Sequence, residues 1–331
     1  MVITTVLALT ALQQTPASPA IKVTRTRTFD NVKSIAVAAA PTGSRIAVSS
    51  EDRVVRVMDL ARGTTVWTFQ GHPQPVYGLA FSPDGTLLAT GDESARIWIW
   101  DLKTGKKLRE FNRVDAHSRG IQSLSFSSDG KRLLSTGRDD ILLQWDVATG
   151  KRGARILGSG LNFYGAKFAP TGGRIYTATL GKGAMWYAIA NGKPIGNADG
   201  TNGQGVIDLD VSRDGTRLIL AGRDNRGQIV DTKTGQRTGW LSGHQDWVVR
   251  AAFSPNARIA ATASTDRSVR IWDVKQMRSI QTLEGQSAVG STIAFSGDGR
   301  FLVTSNDLES LQIWSVTPPQ SVPSVSAKRR K

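Results

Sequence analysis

The glycine of Phe81-Ser-Pro-Asp-Gly85 stands fifteen residues ahead of Trp100-Asp101. The phrase returns as Phe126-Ser-Ser-Asp-Gly130 ahead of Trp145-Asp146, and as Phe295-Ser-Gly-Asp-Gly299 ahead of Trp314. Turn anchors of this kind fall at Gly43, Gly85, Gly130, Gly172, Gly215, Ala257 and Gly299, in steps of 42, 45, 42, 43, 42 and 42 residues. Fifteen residues beyond each anchor comes a large or apolar side chain: Met58, Trp100, Trp145, Tyr187, Val230, Trp272 and Trp314. In five of the seven the next residue is Asp, so seven units share one ruler. A fixed period of this length is the mark of a chain built from repeated supersecondary units.

Within a unit the local signals are all β. Runs such as Leu87-Leu-Ala-Thr90 and Val269-Arg-Ile-Trp272 are rich in apolar, β-branched and aromatic residues, and Asp-Gly, Thr-Gly and Ser-Pro pairs punctuate them. No segment keeps a helical apolar period for three turns. The reading is an all-β chain with four short strands per unit.

Gly71-His72, the Ser-Pro-Asp-Gly turn and Ile271-Trp272-Asp273 resemble the WD-repeat (WD40-type) family, and the resemblance covers residues 21–317. It implies a seven-bladed β-propeller of four-stranded blades, with another four-stranded repeat, such as a kelch-like one, as the alternative. A propeller has to close its ring, because an open end leaves an unpaired strand edge. The last unit stops after Trp314-Ser-Val316, one strand short, while Ile21-Lys-Val-Thr-Arg-Thr-Arg-Thr-Phe29 is a surplus strand at the other end. In the family such an N-terminal strand completes the last blade.

The resemblance also assigns the histidines. Family members hold a blade with a buried chain of His, Ser or Thr, Asp and Trp, in which every polar group has a partner. By position, His117, Ser135, Asp139 and Trp145 make one complete set, and His244, Thr262, Asp266 and Trp272 another. His72, Thr90 and Trp100 make a partial third, with Ser94 where Asp is expected. The last unit has Gln286 for His and Leu308 for Asp, and the first has Asp30 and Met58. The fourth and fifth have Ser159 and Asn202 for His, with Tyr187 and Val230 for Trp. These four blades are expected to rely on apolar packing, and the blade beginning near Asn202 to be the least rigid.

Composition limits the chemistry. The chain of 331 residues has no Cys and three His, which excludes disulfides, thiol nucleophiles and the common zinc and iron–sulfur sites. All three His are taken by the repeat, and Asp101, Asp146, Asp231 and Asp273 recur in register as turn residues. No phosphate-cradling glycine loop is present, since Gly200-Thr-Asn-Gly-Gln-Gly205 lacks the strand-to-helix setting and the Lys. No catalytic residue, cofactor or metal is therefore expected.

A net charge of +15 favours acidic partners. The first expectation is a non-catalytic protein–protein interaction scaffold presenting one propeller face to proteins or peptides, monomeric outside its complexes. The alternative is an electrostatic binder of nucleic acid or another polyanion. An enzyme built on carboxylates alone ranks last, with Asp208 as the oddly placed acid.

The loop entering each first strand and the turn before each Asp position are expected to share one face. There the third to sixth units bring Arg119, Arg138, Lys182, Arg223, Arg226, Arg250 and Arg267 against Asp140 and Asp246. The seventh, first and second bring Asp307, Glu309, Asp30, Glu51 and Glu93 against Lys33 and Arg53. The face reads as dipolar or, alternatively, as a mixed solvated rim. Trp247, beside Arg250 and Arg267, is the candidate interface anchor, because Trp and Arg dominate binding hot spots. The competing reading folds its ring over the neighbouring blade. Tyr77 and Tyr164 are weaker candidates of the same kind. Trp98 is expected to pack between blades, and Trp67 and Trp240 to lie on outer strands, either exposed or packed at the edge.

The two ends differ from the repeat. Residues 1–20 are uncharged, with an apolar run from Val2 to Leu12 that is too short to span a bilayer, and small residues suited to cleavage follow near Ala17 or Ala20. Export or a periplasmic location is favoured over a cytoplasmic one, although no Lys or Arg precedes the run. The other reading is an apolar N-terminus tucked against the propeller. Residues 318–331 read as a disordered Pro/Ser tail ending in Lys328-Arg-Arg-Lys331.

Overall fold

The second strand of each unit is its most apolar, and it is buried almost along its whole length, as in Arg45–Ser50 and Ile259–Ser264. A strand flanked by sheets on both faces reads as a continuous apolar run rather than an alternating one. The fourth strand is the opposite. Thr64–Phe69, Lys107–Glu110 and Pro194–Ala198 are largely exposed and polar. This gradient places the second and third strands inside and the fourth on the rim.

The structure, a computed structural model, describes residues 20–30, 32–111, 116–158, 160–171, 173–198, 203–287, 292–306, 310–318 and 320. Residues 1–19, Ser159, Asn202, Asp307, Leu308, Glu309 and the Lys328–Lys331 cluster lie outside them.

Seven four-stranded antiparallel sheets follow one another along the chain. Blades 1 to 6 span residues 34–69, 76–110, 121–157, 163–198, 206–242 and 248–284. Blade 7 is built from Ile293–Phe295, Phe301–Asn306 and Ser310–Thr317, and the N-terminal strand Lys22–Asp30 pairs antiparallel with the last of these. In that pairing Val23 opposes Val316 and Asp30 opposes Ser310, with a bulge between Arg25 and Arg27. The first strand of each blade packs against that of the next, and Ile293–Phe295 touches both Val248–Phe253 of blade 6 and Ser34–Ala39 of blade 1. The ring is closed as the surplus N-terminal strand implies.

The core is divided among the seams. Seven apolar clusters form among the described residues, each joining two neighbouring blades. Between blades 1 and 2, for example, Ala47, Val55 and Val57 meet Leu88, Trp98 and Trp100. Trp98 packs between blades as expected, its ring stacked 3.9 Å from the His72 ring. The first, fourth and fifth blades use Met58, Tyr187 and Val230 as buried apolar members of such seams.

Two polar clamps hold the closing strand and the chain beyond it. The Gln281 amide on the outer strand of blade 6 accepts the Val23 N–H at 3.0 Å and donates to the Val23 carbonyl at 2.7 Å. Beyond Thr317, Gln320 is fully buried; it donates its N–H to Gly299 O at 2.9 Å and its carbonyl accepts the N–H of Asn256 at 3.2 Å.

Candidate functional site

Each histidine sits just ahead of a first strand and turns inward to a hydroxyl on the second. His117 Nε2 lies 2.8 Å from Ser135 Oγ, which also accepts the Trp145 indole N–H at 2.8 Å, and His117 Nδ1 lies 2.9 Å from Asp139. His244 repeats the arrangement with Thr262, Trp272 and Asp266, at 2.8, 2.7 and 2.8 Å. Both complete sets expected from the sequence are formed.

The partial set is also complete, by a different residue. His72 lies 2.7 Å from Thr90 Oγ1 and 2.8 Å from Asp92, and Trp100 donates to Thr90 at 2.9 Å. The acid is Asp92, two residues before the expected place, and Ser94 donates to it at 2.8 Å. Asp92 ends the second strand, Leu87–Asp92, close enough to the imidazole to serve.

The expectation of purely apolar packing fails in blade 7. Trp314 donates to Thr304 Oγ1 at 2.9 Å, and Thr304 donates to Gln286 Oε1 at 2.7 Å. A glutamine carbonyl oxygen replaces the imidazole nitrogen as acceptor, and Gln286 spends its own N–H on Glu284 O and Gln312. Blade 5 keeps only Asp224 at the acid position, with Leu220 and Val230 for hydroxyl and indole, and burial pushes its carboxyl up.

His, Asp and a hydroxyl in this order resemble a hydrolytic triad, but Thr90, Ser135 and Thr262 are completely buried and each already receives an indole N–H. With Nδ1–H donating to the carboxylate and Nε2 accepting the hydroxyl proton, every polar atom of the relay has a partner while the imidazole is neutral. Burial holds His244 below the ordinary histidine value. Against the upward push of burial, the Gln245 N–H, the Ser268 hydroxyl and His244 bring Asp266 down to about 2. Among the described residues no three His, Asp or Glu side chains converge as metal ligands, and no helix is long and apolar enough to cross a membrane.

The relays build the face above them. Antiparallel alternation brings the loop entering each first strand and the turn between the second and third strands to the same end. A backbone bond ties loop to turn in blade after blade: Glu51 to Lys33 O, Glu93 to Pro75 O, Arg138 to Gly120 O, Arg223 to Gly205 O and Thr265 to Trp247 O. Trp247 therefore belongs to a fixed loop. Its carbonyl also accepts the Thr265 hydroxyl, Ser264 donates to Asp246 O at 2.9 Å, and the Gln245 N–H is held by Asp266.

Trp247 is 41% exposed, and the Arg223 guanidinium from the preceding blade lies 3.8 Å from its ring centroid. Its cationic neighbour is thus Arg223. Arg250 sits past a bulge on Val248–Phe253, and its charge acts on Asp208. Arg138 occupies in blade 3 the place of Arg223 but turns the other way, over Tyr77 at 5.0 Å and onto Glu93 at 2.7 Å. Arg226 lies over Trp240 on the rim at 5.0 Å, with Arg237 at 4.2 Å, so Trp240 is covered. Arg119 and Arg267 are exposed on this face, and Tyr164 is 36% exposed.

Ion pairing divides the face. Among the described residues Lys33 pairs with Glu51, Arg56 with Asp52 and Arg138 with Glu93, all in blades 1 to 3. Among the described residues Arg223, Arg226 and Arg267 have no ion pair within 4.0 Å, although the Arg226 charge acts on the Asp224 carboxyl, and the Asp246 carboxylate accepts the Trp247 N–H. This division differs from the one expected from the sequence, because Arg138 of blade 3 is paired with Glu93 of blade 2. Periodicity cannot reveal it, because Arg138 and Arg223 hold equivalent positions.

Asp208 and Asp210 lie on the first strand of blade 5, Val206–Val211, and bridge to blade 6 by accepting the N–H groups of Ala251 at 3.1 Å and Phe253 at 2.9 Å. Burial raises both carboxyls, opposed by Arg250 and Lys167 at Asp208 and chiefly by Lys167 at Asp210. They cap the free edge of the neighbouring inner strand, which accounts for the odd position of Asp208.

Comparison with known proteins agrees with this architecture. The family described as WD domain, G-beta repeat matches residues 63–101, 105–146, 235–273 and 277–315. The chain is 36% identical over 95 residues to WD repeat-containing protein VIP3 of Arabidopsis thaliana, 28% of this chain and 30% of that protein. Autophagy-related protein 16 of Arabidopsis thaliana is 23% identical over 72% of this chain and 47% of its own length. WD repeat-containing protein 82 of Drosophila melanogaster is 34% identical over 21% of this chain and 23% of its own. The chain thus spans less than half of the length of these curated relatives. With four units matched outright and the His–hydroxyl–Trp relay built at the same spacing, this chain belongs to the WD-repeat β-propellers.

Proposed function

We propose that this propeller is a non-catalytic protein-interaction platform whose partner docks on the blade 5 and 6 side of the loop face. One observation carries the reading: Trp247, 41% exposed, stands on a loop fixed by backbone bonds with Arg223 against its ring. A pre-ordered aromatic with an adjacent guanidinium has the composition of a binding hot spot and loses little entropy on docking. Among the described residues Arg223, Arg226 and Arg267 have no ion pair, which supports a partner that brings carboxylates.

The test is comparative affinity capture from source extract treated with nuclease, using the full chain and its Trp247→Ala/Arg223→Ala variant. Proteins held by the former and lost by the latter, at equal melting temperature, support the platform. An unchanged set removes this face from the account. The same unpaired arginines and the charge of +15 favour a second reading, binding of nucleic acid or another polyanion. Its sign is a capture abolished by nuclease, or an affinity that falls steeply with salt through counterion release.

A further inference from the structure

The seams repeat as the blades do, so one seam serves as a template for the next. Between blades 1 and 2, on the face of the Asp-Gly turns, Trp67 fills the outer cleft. Its indole N–H donates to Leu102 O at 3.0 Å, and a Cβ added to Gly105 would come within 2.3 Å of its ring. Val57, Phe69 and Leu102 belong to the apolar cluster it packs against.

Between blades 2 and 3 the corresponding residues are Arg109, Val147 and Gly150. The Arg109 stem lies against Gly150, and its guanidinium leaves the cleft to donate to Thr149 O at 3.1 Å. The Arg109 stem thus takes the place of the indole at the glycine, and beside it a cleft of about 580 Å³ stays open, walled by Leu87, Ile99, Leu108, Val147 and Arg109 itself. Leu108 is 56% exposed there, whereas its counterpart Val66 is half-buried.

The carbonyl that receives the Trp67 indole has its equivalent in Val147 O, which has no donor among the described residues. In blade 5 the equivalent Thr232 O accepts a guanidinium N–H from Arg174 at 3.0 Å. Twice, then, this carbonyl serves a flat N–H group set between blades. The rim of the open cleft carries three carboxyls, Asp84, Asp129 and Asp146, against the two cations Arg109 and Lys131. Hydrogen bonds from Ser82, Ser127 and Thr149 hold these three carboxyls below the ordinary range, so they are charged. None has an ion pair within 4.0 Å among the described residues.

We propose that this cleft is a second docking site, distinct from the loop face, and that it receives a tryptophan side chain from a partner protein next to a basic residue. The indole N–H donates to Val147 O, the ring lies on Ile99 and Leu108, and the basic side chain meets Asp84 and Asp129. The occupant is inferred from what the chain itself places in the preceding seam and from the charge of the rim.

The test uses the full chain with acetyl-Trp-Arg-amide as the probe, followed by saturation-transfer NMR. Binding is expected, weaker by about tenfold when the indole nitrogen is methylated, as the loss of one hydrogen bond requires. Arg109→Trp rebuilds the blade 1 arrangement and is expected to abolish binding without lowering the melting temperature. Leu108→Ser, a change at an exposed position, is expected to weaken binding several-fold and covers the case in which the first variant does not fold. No saturation transfer at millimolar probe, or binding indifferent to N-methylation and to the variants that fold, would overturn the assignment.

Discussion

Met277 projects into the space that Gly239 leaves on the outer strand of the preceding blade, and a Cβ on Gly239 would lie 2.7 Å from Met277 Cγ. The joint is the mirror of that between Trp67 and Gly105. The other turns at this place carry Gly63, Gly105, Gly150, Gly192 and Gly235 at φ of 67–73°, whereas Met277 holds φ 53°. At one seam, knob and hole have changed sides.

The exchange predicts a coupled pair. Gly239→Leu forces two side chains into one space and is expected to cost about 1–3 kcal/mol, the usual price of overpacking. Met277→Gly alone empties the joint. Together they restore the blade 1 geometry, so a double-mutant cycle by urea unfolding is expected to show coupling of about 1–3 kcal/mol. Additive losses would show that the two residues do not share a cavity.

The relay of blade 2 assigns unequal weight to Asp92 and Ser94. Asp92→Ala leaves a buried neutral imidazole N–H, and the N–H groups of Ser94 and Arg96, without their acceptor, and a loss of about 3 kcal/mol is expected, at the upper end for unsatisfied buried donors. Ser94→Ala removes one hydrogen bond to the carboxylate and is expected to cost about 1 kcal/mol. Thermal or denaturant unfolding of the two variants decides it. Equal losses would return Ser94 to the place of the missing acid.

Much of this was legible in the residues. The turn anchors and the residue fifteen beyond each fixed seven blades, and the surplus strand at Ile21–Phe29 announced how the ring closes. The two full relays followed from position alone. What escaped depends on contacts that periodicity does not encode. Asp92 replaces an acid two residues out of register, and Gln286 imitates an imidazole with a different side chain. Arg223 reaches Trp247 across a seam, while its equivalent Arg138 turns back to Glu93. Side chains that cross between blades are set by what the neighbouring blade omits.

Acid acts on blades 5 and 6 with opposite signs. Burial keeps His244 below 6.5, so its contribution is full above that pH and falls as the unfolded chain takes up protons below it. The Asp266 contribution is full above 3.8 and is lost as pH falls through about 2. Asp208 and Asp210 are raised instead, so the fold favours their protonated forms and that benefit disappears as pH rises through their folded values. Asp208→Asn/Asp210→Asn keeps acceptors for Ala251 and Phe253 without the charges. Its melting temperature relative to the unsubstituted chain is expected to be higher at pH 7 than at pH 3. The reverse order would mean that Lys167 and Arg250 outweigh burial.

Ring closure depends on Gln281. Blades 6 and 7 share an apolar seam that includes Val23, Ile271 and Leu283, and on it the closing strand is latched to blade 6 by the two bonds from this amide to Val23. Gln281→Ala removes both and leaves the Val23 N–H and carbonyl to find other partners, at a cost of about 1–3 kcal/mol. Gln281→Glu keeps the acceptor for the N–H but turns a donor into a second acceptor facing a carbonyl, so it is expected to be no better than alanine. Hydrogen exchange locates the effect: in both variants the amides of residues 22–30 should lose protection before those of blades 2 to 5, because the strand edge opens at its latch first. Uniform loss of protection around the ring would place the closing strand's hold in its pairing with Ser310–Thr317 instead.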